Sequence, residues 1–236
     1  MKITIIIAVL AVLTVPIAAN AQDSGAQEVI VTAQRSRQDD YSASMPAVGL
    51  RRRADYAVQE VIITGDSREA AARQDEIYGM LANAIAAAPR AGVTIASGDA
   101  TLQAVTMANY RNLSLEKDNR PDSEKLTFLV KAPLSASAGA QAAEAKIAGF
   151  VKAVKPVGRA LIATNDDLTF SVVGPDQYRT AIADIIAADA KILAAKFGDG
   201  YGVEVEGLNR PVEWARSGLS DVLLYIPYKL VVVPKH

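Results

Sequence analysis

Three stretches of helical periodicity alternate with β-branched runs that mostly come in pairs, and this ordering constrains the fold more than any other feature. A helix with one apolar stripe must lay it on another element, and strands joined by short turns pair as antiparallel neighbours. Val58 to Thr64 is β-branched and reads as a strand. Gly65-Asp66 ends it, and Asp66 with Glu69 resembles a capping box opening a helix. That helix carries Ile77, Leu81, Ala84, Ile85 and Ala88 on one face and stops at Pro89. Val93 to Ala96 is short and β-like, and the alternation from Leu102 to Glu116 reads as a strand. Asp118, Asn119, Pro121 and Asp122 then form a turn leading into a strand from Glu124 to Ala132.

A second helix spans Ala138 to Val154, with Ile147, Phe150, Val151 and Val154 on one face. Ala160 to Thr164 and Leu168 to Val173 read as two strands around a turn at Asn165-Asp166-Asp167. Gly174-Pro175-Asp176 opens a third helix, whose stripe is Tyr178, Ile182, Ile185, Ile186, Ile192 and Leu193 and which ends near Phe197. Val203 to Leu208 is a strand, and Asp221 to Pro234 is a strand or strand pair interrupted by Pro227. The expected fold is α+β, with layers of mainly antiparallel sheet packed with three main helices over residues 54–236. Singly alternating strands and helices, as in a doubly wound dinucleotide fold, are not what this order describes. Gly198-Asp199-Gly200-Tyr201-Gly202 follows a helix instead of opening one, so it reads as a C-cap and turn, not a phosphate loop.

The chain opens with a different kind of segment. Met1 and Lys2 give a short positive start, Ile3 to Ile17 is apolar, and Ala19-Asn20-Ala21 places small residues where signal peptidase reads. The apolar run falls short of the ~20 residues a membrane span needs. Residues 1–21 are therefore expected to be a cleaved export signal, cut before Gln22, leaving a mature form with no transmembrane segment. No Cys follows, so the lipoprotein route is closed. Residues 22–53 are rich in Gln, Ser, Asp, Ala and Arg and read as a flexible N-terminal arm. Arg51-Arg52-Arg53 reads as a solvated stretch of that arm.

Composition excludes more than it identifies. With 25 Lys and Arg against 26 Asp and Glu, the chain lacks the positive excess that nucleic acid or acidic lipid would select. It has no Cys, which removes disulfides, thiolate nucleophiles and thiolate metal sites together. Its one His is His236, the last residue. The commonest general base is thus missing from the interior. The expectation is a protein that is not an enzyme and has no cofactor, no metal and no catalytic residues.

The order of elements resembles the SIMPL-domain family, which includes periplasmic immunogenic proteins of Gram-negative bacteria. Val61-Ile62-Ile63-Thr64-Gly65 is similar to the family's opening strand and glycine, and Glu69 to Ala88 to the helix that follows. Ala181 to Phe197 leading into Gly202 to Leu208 resembles its later helix and post-helix strand. The charged turn at Glu116 to Lys125 and the insert Val212 to Arg216 depart from the pattern. The resemblance covers about Val58 to Val233. It implies an exported periplasmic α/β protein that often self-associates and has no established catalytic residues to carry over.

One segment of the arm stands out. Glu28, Val29, Ile30, Val31, Thr32 and Ala33 resemble a TonB box, the short N-terminal motif of outer-membrane receptors. An extended β-branched segment can add a strand to a partner's sheet, with backbone hydrogen bonds supplying affinity. The chain is too short for a large transporter barrel, so it would be an accessory and not itself such a receptor. Two other readings compete: the segment pairs with the chain's own sheet as an edge strand, or the likeness is chance, since Glu60-Val61-Ile62-Ile63-Thr64-Gly65 nearly repeats the pattern inside the folded part. Other candidates are Tyr201, Trp214, Tyr225 and Tyr228 for a pocket or interface, and Glu204 and Glu206 for a carboxylate pair. Core packing for the aromatics and a solvated sheet face for the carboxylates are the better accounts of these. The expected role is a periplasmic binding or scaffolding protein, self-associating or recruiting TonB or another envelope protein. A small-molecule carrier and a carboxylate-based enzyme are the alternatives, and a polar pocket with convergent Glu or Asp would favour them.

Overall fold

The computed structural model describes residues 28–31, 46–99 and 101–235. The expected export signal, residues 1–21, lies outside them, as do Thr32 and Ala33. The fold is α+β, with three helices and antiparallel sheets.

Four strands and a helix come first: β1 (Glu28–Val31), β2 (Leu50–Arg53), β3 (Tyr56–Gly65), α1 (Ala70–Ala91) and β4 (Thr94–Ser97). The short β5 (Gln103–Ala104) and β6 (Glu116–Lys117) precede β7 (Glu124–Pro133), α2 (Ala140–Ala153) and β8 (Leu161–Val173). The chain continues through α3 (Arg179–Lys196), β9 (Tyr201–Glu206), β10 (Glu213–Arg216), β11 (Asp221–Tyr225) and β12 (Lys229–Pro234). The main sheet runs β1-β8-β3-β7-β4-β5, with β6 pairing on β7. A three-stranded sheet, β10-β11-β2, and a two-stranded ribbon, β12-β9, complete the β structure.

Alternation along β3 and β7 assigns the two faces of the main sheet. Val61 pairs with Phe128 and Ile63 with Leu126, and all four are buried. This face meets α1, which turns Ile77, Met80, Leu81, Ala84 and Ala88 inward at helical spacing. Gly65 lies on the same face, and a Cβ there would stand 2.9 Å from Cγ1 of Ile77, so glycine permits the close approach of α1 to β3. Ile147 and Phe150 of α2 join this core. Fully burying each such large side chain contributes about 1.5–3 kcal/mol. The opposite face carries Glu60, Ile62 and Thr64, paired with Leu129, Thr127 and Lys125.

Local departures from the sequence reading each have a cause. The Asp66–Glu69 capping box does not form: Asp66 accepts from Arg159, at 2.7 and 2.9 Å, and Glu69 at the N-cap makes no side-chain cap bond. α1 continues through Pro89 for two residues and ends at Gly92, whose φ of 64° suits glycine. Leu102 to Glu116 is mostly turn, because the Asn109 side chain bonds the backbone at Thr106 and Ala104. The turn expected at 165–167 is instead part of one strand, β8. The irregularity appears as a register shift against β3 between Val58 and Glu60. Leu50–Arg53, expected in the arm, is a strand paired to β11. Arg52 bonds Asp55 and stacks over Tyr178, 4.5 Å from its ring centre. Among the described residues no helix is long and apolar enough to cross a membrane.

Candidate functional site

The face of the main sheet opposite α1 is polar, and its two ends hold different arrangements. At one end lies the seat of β1. Glu28–Val31 pairs antiparallel with β8, Val29 opposite Val172 and Ile30 opposite Ser171. Val29 is buried in the core, as the alternation of a strand requires. On its other side β1 meets the segment entering β5: Val29 bridges Thr101, and the Leu102 N–H donates to the Glu28 carbonyl at 3.1 Å. The indole N–H of Trp214 donates to the Ile30 carbonyl at 3.0 Å. β1 therefore joins the two ends of the main sheet.

The side chain of Glu28 turns onto a buried polar cluster. Lys131 donates its ammonium to one carboxylate oxygen and Ser171 its hydroxyl to the other. Ser171 is fully buried, and the side chains of Lys131 and Glu28 are only 10% and 13% exposed. The Lys131 ammonium also lies 4.3 Å from the ring centre of Tyr56. Burial, followed by the charges of Glu28 and Asp55, raises the Tyr56 phenol above its usual value. A neutral phenol and a buried ion pair thus share one site. Glu28 and Lys131 stand on strands three places apart, which a flat sheet would separate by roughly 14 Å. Their direct contact makes this face concave.

At the other end the concavity opens into a polar groove of about 680 Å³. Glu60, Lys125, Thr127 and Leu129 form its floor, and Ser97, Asp99, Gln103, Asn112 and Ser114 line its wall. Glu60 accepts from Asn165 at 2.6 Å, and Lys125 pairs with Glu116 at 3.5 Å. Gly98 shapes the rim with a φ of 120°, and a Cβ there would meet the Thr101 carbonyl at 2.1 Å. Three carboxylates, Glu60, Asp99 and Glu116, face one lysine across this space.

The structure places Glu28, Val29 and Ile30 in the sheet, with the backbone of Val31 completing the strand. The remaining candidates do not share one pocket. Trp214 and Tyr225 belong to the three-stranded sheet, whereas Tyr201 is in the ribbon, 6.4 Å from Phe197 by ring centres. Glu204 and Glu206 are exposed on β9, and Glu206 faces Lys229 at 3.8 Å. Among the described residues no group of three or more His, Cys, Asp or Glu side chains could hold a metal ion. Sequence reasoning missed Lys131, Ser171 and Tyr56. Lys131 and Ser171, polar side chains within apolar strands, were the available signal, but their common partner lies more than a hundred residues away from each.

No family model, curated protein or solved structure matches this chain.

Proposed function

We propose that this chain is an exported, non-catalytic binding or scaffolding protein of the periplasm, SIMPL-like, which recruits an envelope partner by strand addition. The observation that carries this reading is the seat of Glu28–Val31. The segment adds to a sheet by backbone pairing, places one apolar side chain in the core and one carboxylate on a dedicated cluster. That is the chemistry by which an extended peptide joins another protein's sheet. The three helices and antiparallel sheets fit the SIMPL-like reading. The Lys131–Glu28–Ser171 cluster is directed inward onto itself, which favours a structural role over a reactive one. TonB, or another envelope protein with an open sheet edge, is the partner class.

The test is binding to the purified TonB C-terminal domain by the intact chain and by a chain lacking residues 22–38. Binding that is lost with the deletion is expected. Failure of the intact chain to bind would remove TonB as partner.

The groove favours a second reading, a carrier of a small polar ligand. Its carboxylate excess suits a cationic one. Calorimetric titration with spermidine, on the chain and on Glu60→Gln, tests it: heat that weakens with the variant supports the carrier, and no heat with either removes a polyamine as its ligand.

A further inference from the structure

We infer that the seat of β1 is a strand-receiving site shared between copies of this chain, so that Glu28–Val31 of one molecule closes the sheet of another. This deepens the strand-addition reading and rests on it, with a second copy as the occupant.

Every element of the receiver belongs to the body of the fold. β8 supplies the pairing edge, and Trp214 and Leu102 supply N–H donors to Ile30 and Glu28. Lys131, Ser171 and Tyr56, from β7, β8 and β3, form the carboxylate pocket. None of these groups depends on which molecule the strand comes from. A receiver built from a backbone edge, an apolar hole and a charged pocket at alternate positions recognises a Glu-Val-Ile-Val pattern, and each copy carries one. The link between the strand and β2 is residues 32–49, which can reach on the order of 60 Å when extended, well beyond the width of a domain this size. Exchange of such a segment forms the same contacts twice, so concentration decides between closure within one chain and closure between two.

Charge reversal separates the two arrangements. Glu28→Lys and Lys131→Glu each place like charges in the pocket. The two variants are mixed one to one and refolded together. Only an exchanged pair then sets the altered strand of the first variant on the altered body of the second, and the native strand on the native body. Opposite charges meet at both seats of that pair. The full chain is expressed with its leader and analysed by size exclusion with light scattering. Each variant alone is expected to stay monomeric, and the mixture to double in mass. The double variant on one chain, checked by circular dichroism, controls for folding. A second readout uses the absence of cysteine: Val29→Cys and Val172→Cys, opposed in the register, are mixed and oxidised. A heterodimeric disulfide is expected. A monomeric charge-reversed mixture, with the double variant folded and the mixed cysteine variants unlinked, would overturn exchange. Capture of an envelope partner by a chain that stays monomeric would also reject exchange while leaving partner recruitment standing.

Discussion

Lys131 and Glu28 stand 103 positions apart in sequence and form an ion pair across the concave face of the main sheet. The pair links β7 to β1 and holds the carboxylate where Ser171 also reaches it. Removing one partner of a buried ion pair leaves an uncompensated charge, which costs about 3–5 kcal/mol. Lys131→Met should therefore lower stability by about that amount in urea unfolding. Combining it with Glu28→Gln should recover much of the loss, since neither charge then remains buried. Additive losses in the double variant would show that the two side chains are not coupled.

The Tyr56 phenol sets an alkaline limit. Its folded value is raised above the ordinary 10.0 by burial first and by Glu28 and Asp55 next. The folded form therefore holds the proton more tightly than the unfolded chain. The resulting stability is fully present below about pH 10 and is lost as pH rises toward the folded value. Thermal melts of the chain between about pH 8 and 11.5 should fall more steeply than those of Tyr56→Phe. Equal slopes would remove Tyr56 as a source of the alkaline loss.

Trp214 holds β1 by a single indole hydrogen bond to Ile30. Trp214→Phe keeps a ring while deleting the donor. It should cost about 1 kcal/mol and should raise hydrogen exchange selectively at residues 28–31. Exchange that rises equally along β7 would place the effect in the core instead of the strand.

Gly98 is the backbone position most sensitive to substitution at the groove. With its positive φ and the nearby Thr101 carbonyl, Gly98→Ala should cost about 1–3 kcal/mol. Gly149→Ala has open space and serves as the control, expected to be neutral or slightly stabilising. Equal unfolding midpoints for Gly98→Ala and the unmodified chain would mean that the rim relaxes freely.

Much of the secondary structure was legible because it follows local period. The β-branched run at Val58 to Thr64 and the stripe Ile77, Leu81, Ala84, Ala88 each specify an element and its buried face without distant information. Where local chemistry competed, the reading failed. Asn165-Asp166-Asp167 has turn composition, yet β3 pairs with Leu161 to Asn165 before it and with Thr169 to Ser171 after it, which keeps β8 one strand across the irregularity, with Asn165 bonded to Glu60. Arg51 and Arg53 are exposed, as the charge run at 51–53 suggests, yet β11 makes their backbone a strand, and Asp55 and Tyr178 receive the half-buried Arg52.

The sequence by itself determined the α+β class, the helical faces and the strand character of Glu28–Val31, because these depend on periods of two and 3.6 residues along a continuous chain. The tertiary structure alone decided that this strand joins β8, that the sheet curls, and that Glu28 meets Lys131 and Ser171. Those contacts join residues more than a hundred positions apart, and their geometry is set by the sum of strand twists and pairings over the whole sheet. No short stretch of sequence carries that sum.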